Sequence, residues 1–217
     1  MAIHVLQICG DVVSVHEDRD HENLLVVGHR SGRGFFARLD TDGSIISETE
    51  FGPDSPGWIE LRGACVTSRG FLCYGQESSL YIQTYVGLID RDGRLVKQRE
   101  GLEGEHETLR FLGAARRPNS GDVALVGWTD KRGIRNSDPT LGLVYILDED
   151  LNSSSRSTLR FVERSTGVEV IEAGQSSSKG DSSSGDSWNV AGWTFGDSDD
   201  SFWATVRDAA PREVARR

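Results

Sequence analysis

Cysteine, proline and methionine are scarce in this chain, with 3, 5 and 1 residues among 217, and there is no surplus of positive charge. The three cysteines, Cys9, Cys65 and Cys73, are an odd number, so they cannot all pair with one another and they do not decide the redox compartment. Cys65 and Cys73 flank the turn Ser68-Arg69-Gly70. A cross-strand disulfide and two buried thiols acting as small apolar residues both fit that hairpin, and the thiols are the simpler reading. A net charge of -10 with a pI of about 5.0 argues against nucleic acid and acidic membrane surfaces as partners. No apolar run approaches the roughly 20 residues of a membrane helix, so no membrane span is expected. The amino-terminal MAIHVLQICGDV carries neither the basic region nor the full apolar segment of a signal peptide.

Glycine is plentiful, with 25 residues, and hydrophobic content is 36 %, which suits many short strands joined by tight turns. A chain of this length can bury roughly 70 % of its unfolded surface in one core, so a single domain over 1–217 is expected. The stretch 24–52, LLVVGHRSGRGFFARLDTDGSIISETEFG, recurs three times in degraded form. The copies align on Gly28, Gly75, Gly127 and Gly192, whose successive separations are 47, 52 and 65 residues. Periods near 50 residues belong to propellers and arrays, not to heptads or helical solenoids. After each glycine comes a second apolar-rich run, then a turn: Asp40-Thr-Asp-Gly43, Asp90-Arg-Asp-Gly93, Asp148-Glu-Asp-Leu151 and the worn Arg207-Asp-Ala-Ala-Pro211. Asp-Gly between apolar runs marks a hairpin. Only the first two copies keep it, so the turn is expected to fail in the last two.

Each repeat reads as four strands, the composition of a propeller blade. The expected strands are 11–17, 24–29, 34–39 and 44–51; 59–67, 71–75, 83–89 and 94–100; 108–116, 122–128, 141–147 and 156–162; and 167–174, 188–194, 201–206 and a poor last strand near 212–215. The expected fold is therefore all-β: a propeller of four blades of four antiparallel strands, with repeats at approximately 9–52, 58–101, 106–163 and 167–217. The strand AIHVLQI at 2–8 is better than REVA and is expected to close the last blade. The polar, low-complexity stretch 176–187 is expected to be a mobile loop.

The pattern VVGHR, ALVGWT or VAGWT, followed by FFARLDTDG, VGLIDRDG or LVYILDED, resembles the repeats of bacterial β-propeller proteins. Those units read roughly "i-v-a-G-y-T, then f-v-a-k-l-D-x-d-G" and occur in exported surface proteins and lipoproteins. The resemblance spans nearly the whole chain as four units. It implies the propeller fold and an extracytoplasmic location, and it implies no catalytic motif. Relatives often carry more units, which leaves open a fragment of a longer propeller or two chains sharing one ring.

In a propeller, the loops joining second to third strands, and fourth strands to the next first strands, share one face where ligands usually bind. Here that face would hold Trp58, Tyr81, Trp128, Trp193 and Phe195 beside Arg132 and Arg135. Aromatic rings beside hydrogen-bonding side chains suit a glycan or a protein partner. Trp128 and Trp193 directly follow the aligned glycines, so repeat-related packing between blades is the simpler reading for them. Glu103, Glu105 and His106 form the densest titratable group and are the candidates for glycosidase- or lyase-type catalysis. Adjacent charges in a glycine-flanked loop are more commonly just solvated. Asp197, Asp199 and Asp200 crowd hard oxygen ligands into one loop and could hold calcium, although the ligand set is incomplete; no other cofactor is indicated. The expected function is a non-catalytic binding module. A carbohydrate-active enzyme and a structural segment of a self-associating assembly are the alternatives.

Overall fold

The computed structural model describes residues 8–18, 22–52, 57–78, 82–102, 107–116, 121–131, 141–159, 165–175, 187–196 and 200–207, with the last three segments and parts of the others described by backbone alone. Among these residues there are fifteen strands and no helix, hence no helix long and apolar enough to cross a membrane. The strands form four antiparallel sheets in sequence order. The first holds β1 (Asp11–Asp18), β2 (Asn23–Arg30), β3 (Arg33–Leu39) and β4 (Ile45–Phe51). In the second are β5 (Trp58–Thr67), β6 (Gly70–Ser78), β7 (Ile82–Asp90) and β8 (Leu95–Glu100). The third holds β9 (Glu107–Arg116), β10 (Val123–Lys131), β11 (Leu141–Leu147) and β12 (Ser153–Leu159). The fourth holds β13 (Ser165–Gln175), β14 (Ser187–Gly196) and β15 (Asp200–Arg207), so three strands are described where four are expected. The expected strands at 2–8 and 212–215 lie outside the described residues except for Ile8, and the loop at 176–187 lies outside them but for Ser187, the first residue of β14.

The chain divides into two compact units, Met1–Gly101 and Leu102–Arg217, each holding two sheets. In the first unit β5 lies across β1, β2 and β3. Leu25, Val27, Phe36 and Phe51 of the first sheet meet Ile59, Leu61, Phe71, Cys73, Tyr85 and Ile89 of the second in one buried cluster. In the second unit β13 lies across β9, β10 and β11 in the same manner. The near-continuous apolar runs explain this packing: residues of β2, β3, β6, β7 and β11 are buried on both faces of their sheets.

The aligned glycines do not end their strands. β2, β6, β10 and β14 run on to Arg30, Ser78, Lys131 and Gly196, beyond the expected ends at 29, 75, 128 and 194. Their cause is a bulge. Gly28 pairs with Val12, Gly75 with Leu61, Gly127 with Phe111 and Gly192 with Val170, and the next residue of the first strand is skipped each time. In the first three sheets a Cβ on the glycine would overlap a carbonyl oxygen, that of Asp11, Glu60 or Arg110. Only glycine lets the bulged strand approach that closely.

The third turn forms where it was expected to fail. Leu151 N–H donates to Asp148 O (3.0 Å) and Asp148 N–H to Asn152 O (3.0 Å), matching the Asp40–Ser44 and Asp90–Arg94 turns. Leu151 takes φ +59°, where Gly43 and Gly93 stand at +88° and +84°. Its side chain is only 1 % exposed, and that burial offsets the left-handed backbone. Because the turn forms early, β12 occupies 153–159 and not 156–162. In the second and third turns the leading aspartate accepts backbone amides: Asp90 Oδ1 from Asp92 (2.9 Å) and Arg94 (2.8 Å), Asp148 Oδ1 from Asp150 (2.9 Å) and Asn152 (2.7 Å). These carboxylates work as turn formers.

Cys65 and Cys73 are free thiols. Cys65 pairs with Leu72 and Cys73 with Ala64, so the one-residue offset sends the two sulfurs to opposite faces of the sheet. Cys73 Sγ donates to Gly87 O at 3.2 Å, and burial pushes its thiol up to about 12.

Candidate functional site

The part of the expected ligand face that is described lies at one end of the first unit. Here β2 turns into β3, β5 begins, β6 and β8 end and β7 begins. The stretch HRSGRG is nearly all strand; only Ser31 and Gly32 turn, at φ +49° and +77°, the double left-handed geometry of a two-residue hairpin. Against this turn sits Trp58, the first residue of β5. A Cβ on Gly32 would lie 2.8 Å from Trp58 Cβ, and Ile59 N–H donates to Gly32 O at 2.7 Å. Trp58 is thus held by its backbone and stays 37 % exposed. On the first sheet Arg30 pairs with Glu48 and Glu50, its Nε donating to Glu50 Oε1 at 2.8 Å, and Arg33 Nε lies 3.7 Å from Glu50 Oε2. Arg62 and Glu60 pair at 2.7 Å on β5. These charges already have partners within the chain.

Beneath this end is a carboxyl pair for which the sequence had no role. Glu77 of β6 is 2 % exposed and shares a face of the sheet with Glu100 of β8, one strand removed across β7. Burial, then the neighbouring Glu100 carboxyl, push Glu77 up to about 7. Gln98 Nε2 donates to Glu100 Oε1 (3.1 Å) and Gln83 Nε2 approaches Glu100 Oε2 (3.5 Å). Glu77 Oε2 has no hydrogen-bond partner. The usable signal was period-2 placement. Residue 77 falls on the face of Phe71, Cys73 and Gly75 once β6 continues past the glycine.

A serine and a histidine also meet. Ser14 Oγ lies 2.7 Å from His16 Nε2 and 3.4 Å from Ala64 O. An imidazole N–H donated to Ser14, with the hydroxyl passed on to Ala64, satisfies both contacts. The pair therefore ties β1 to β5, and His16, lowered by burial and set 5.4 Å from the Phe71 ring, serves as packing.

Among the other expected site residues, Trp128 is half-buried with the Arg110 guanidinium 5.4 Å from its ring centre. It belongs to a repeated pair: His29 faces Asp11, Gln76 faces Glu60, Trp128 faces Arg110 and Trp193 faces Glu169. Trp193 and Phe195 lie on β14 and Asp200 begins β15, by backbone alone. Tyr81, Glu103, Glu105, His106, Arg132, Arg135, Asp197 and Asp199 lie outside the described residues. Among the described residues no three acids, histidines or cysteines gather as a metal site.

No family model matches the chain. No curated protein matches it either. The chemistry of its own residues therefore carries the functional reading.

Proposed function

We propose that this chain is a binding module built on a four-bladed propeller, with a protein or glycan partner landing at the hairpin end of the sheets. Support for the propeller comes from four sheets in sequence order, middle strands buried on both faces in the first three, and the same crossing of one sheet's first strand over the preceding sheet in each unit. In that ring the first strands line the axis and the polar fourth strands form the rim. One observation carries the binding reading: Trp58 is exposed, yet its backbone is pinned against the Ser31-Gly32 turn by the bond from the Ile59 amide to Gly32 O. An aromatic surface with a preset backbone loses little conformational freedom when a sugar or protein surface covers it.

The test is a glycan array followed by pull-down from extracellular fractions, comparing the native chain with Trp58→Ala. Binding by the native chain that falls about tenfold or more in the variant, a loss of about 1.4 kcal/mol, supports the site. Equal binding by both proteins moves the site elsewhere. Turnover of any glycan by the native chain sinks the non-catalytic reading.

A further inference from the structure

We propose that Asp42 is a modification site: in the folded chain the Asp42-Gly43 step closes to a succinimide and reopens as isoaspartate, while Asp92-Gly93 and Asp150-Leu151, in turns of the same form, are spared. The sequence holds two Asp-Gly steps and no Asn-Gly step, so composition alone marks residues 42 and 92 equally. Glycine after aspartate lets the ring form because no side chain crowds the attacking nitrogen. The third turn lacks that freedom, since Leu151 follows Asp150 and its side chain is buried.

Hydrogen bonding separates the two remaining sites. In the first turn Asp42 Oδ1 accepts from the Ser44 amide (2.8 Å) and the Ser44 hydroxyl (2.6 Å), so the carboxyl is folded back across the Gly43 peptide. In the second turn the matching amide, that of Arg94, goes to Asp90 Oδ1 instead (2.8 Å), and so does the amide of Asp92 (2.9 Å). Asp90 thus clamps its turn from the first position, and Asp148 clamps the third turn in the same way through Asp150 and Asn152. Asp40 Oδ1 accepts from the amide (2.6 Å) and hydroxyl (3.3 Å) of the adjoining Thr41, contacts that do not bridge the turn.

The cost of opening adds to the contrast. Gly43 N–H donates to Asp40 O (2.9 Å) and Gly93 N–H to Asp90 O (3.1 Å), so neither nitrogen can attack until its turn opens. The second turn has to open against the first sheet: Gly93 is buried near Phe36, and Arg38 Nη2 holds Arg91 O at 2.6 Å. The first turn leads into β4, an outer strand paired with β3 alone among the described residues, and Thr41, Asp42 and Ser44 are exposed. Local opening is cheapest where little packing has to be broken.

In the open turn the Gly43 nitrogen bonds to Asp42 Cγ of the protonated carboxyl, and the amide proton leaves with the carboxyl hydroxyl as water. Water then adds back to the imide. Breaking the bond from nitrogen to the side-chain carbonyl restores aspartate, whereas breaking the bond to the main-chain carbonyl leaves the chain running through Cγ. Mass is unchanged overall, and no co-reactant besides water takes part. The site lies at the opposite end of β3 from the Ser31-Gly32 turn, so it does not depend on what binds at Trp58.

The experiment incubates the folded full chain in water labelled with heavy oxygen, at mildly acidic pH, and maps the label by peptide mass spectrometry. Each passage through the imide leaves a labelled oxygen at that residue, whichever way the ring opens. Label at Asp42 should exceed label at Asp92 about fivefold or more, and isoaspartate, read by electron-transfer fragmentation, should gather at residue 42. The chain unfolded in urea should label both Asp-Gly steps alike. Equal labelling of the two sites in the folded chain overturns the proposal, as does label appearing first at Asp92 or Asp150. An Asp42 that stays unlabelled while the unfolded chain reacts also overturns it. So does a bias toward Asp42 that persists in urea, because neighbours in sequence would then set the rate.

Discussion

Leu151 holds a left-handed backbone because its side chain has a buried place to go. Ordinarily alanine outperforms glycine, but here the order should reverse. Leu151→Ala gives up the buried side chain and keeps the left-handed cost of about 1–2 kcal/mol, whereas Leu151→Gly gives up only the side chain. Urea unfolding should place the alanine variant at the lower midpoint by about 1 kcal/mol, and the opposite order would mean that packing alone sets this turn. At Gly75 a methyl would overlap the Glu60 carbonyl, so Gly75→Ala should lose about 2 kcal/mol or more by the same measurement. The cysteines offer a chemical check: exposed Cys9 should react with a thiol reagent in the native state, while buried Cys65 and Cys73 should wait for unfolding. Rapid modification of all three would contradict the packing described.

At the level of the element, the Asp90–Gly93 turn of the second sheet docks on the first. Arg38 Nη2 donates to Arg91 O at 2.6 Å, and a Cβ on Gly93 would fall 2.6 Å from Phe36 Cδ1. That explains why this turn keeps glycine. Gly93→Ala should destabilise through both the turn and the sheet contact, by about 2 kcal/mol or more. A chemical melt showing a loss below about 0.5 kcal/mol would mean that the turn does not press on the first sheet as described. The turn's existence was legible from Asp-Gly between apolar runs, but its docking was not, since no local pattern states which sheet a turn will face. Strand ends escape the sequence for a related reason. Glycine after an apolar run reads locally as a stop, whereas here it marks a bulge in the neighbouring strand, and a bulge is a property of two strands together.

For the whole molecule, the proposed ring makes a physical prediction. A single compact body of 217 residues should have a radius of gyration of about 17 Å. Small-angle scattering on the native chain should return about that value; a markedly larger one would mean that the two units do not form one ring. Of the candidate site, Trp58 was visible beforehand as an aromatic in a loop free of the repeat. The burial of Glu77 was not visible, because β6 had first to continue past Gly75 and be covered by its neighbours. By itself the sequence determined the all-β class, the four repeats and the register of apolar faces, since alternation and turn chemistry act over a few residues. Tertiary structure alone decided the role of the glycines, the separation of Cys65 from Cys73 and the burial of Glu77. Each of those depends on which strand lies beside which, and that is settled by the packing of the whole sheet.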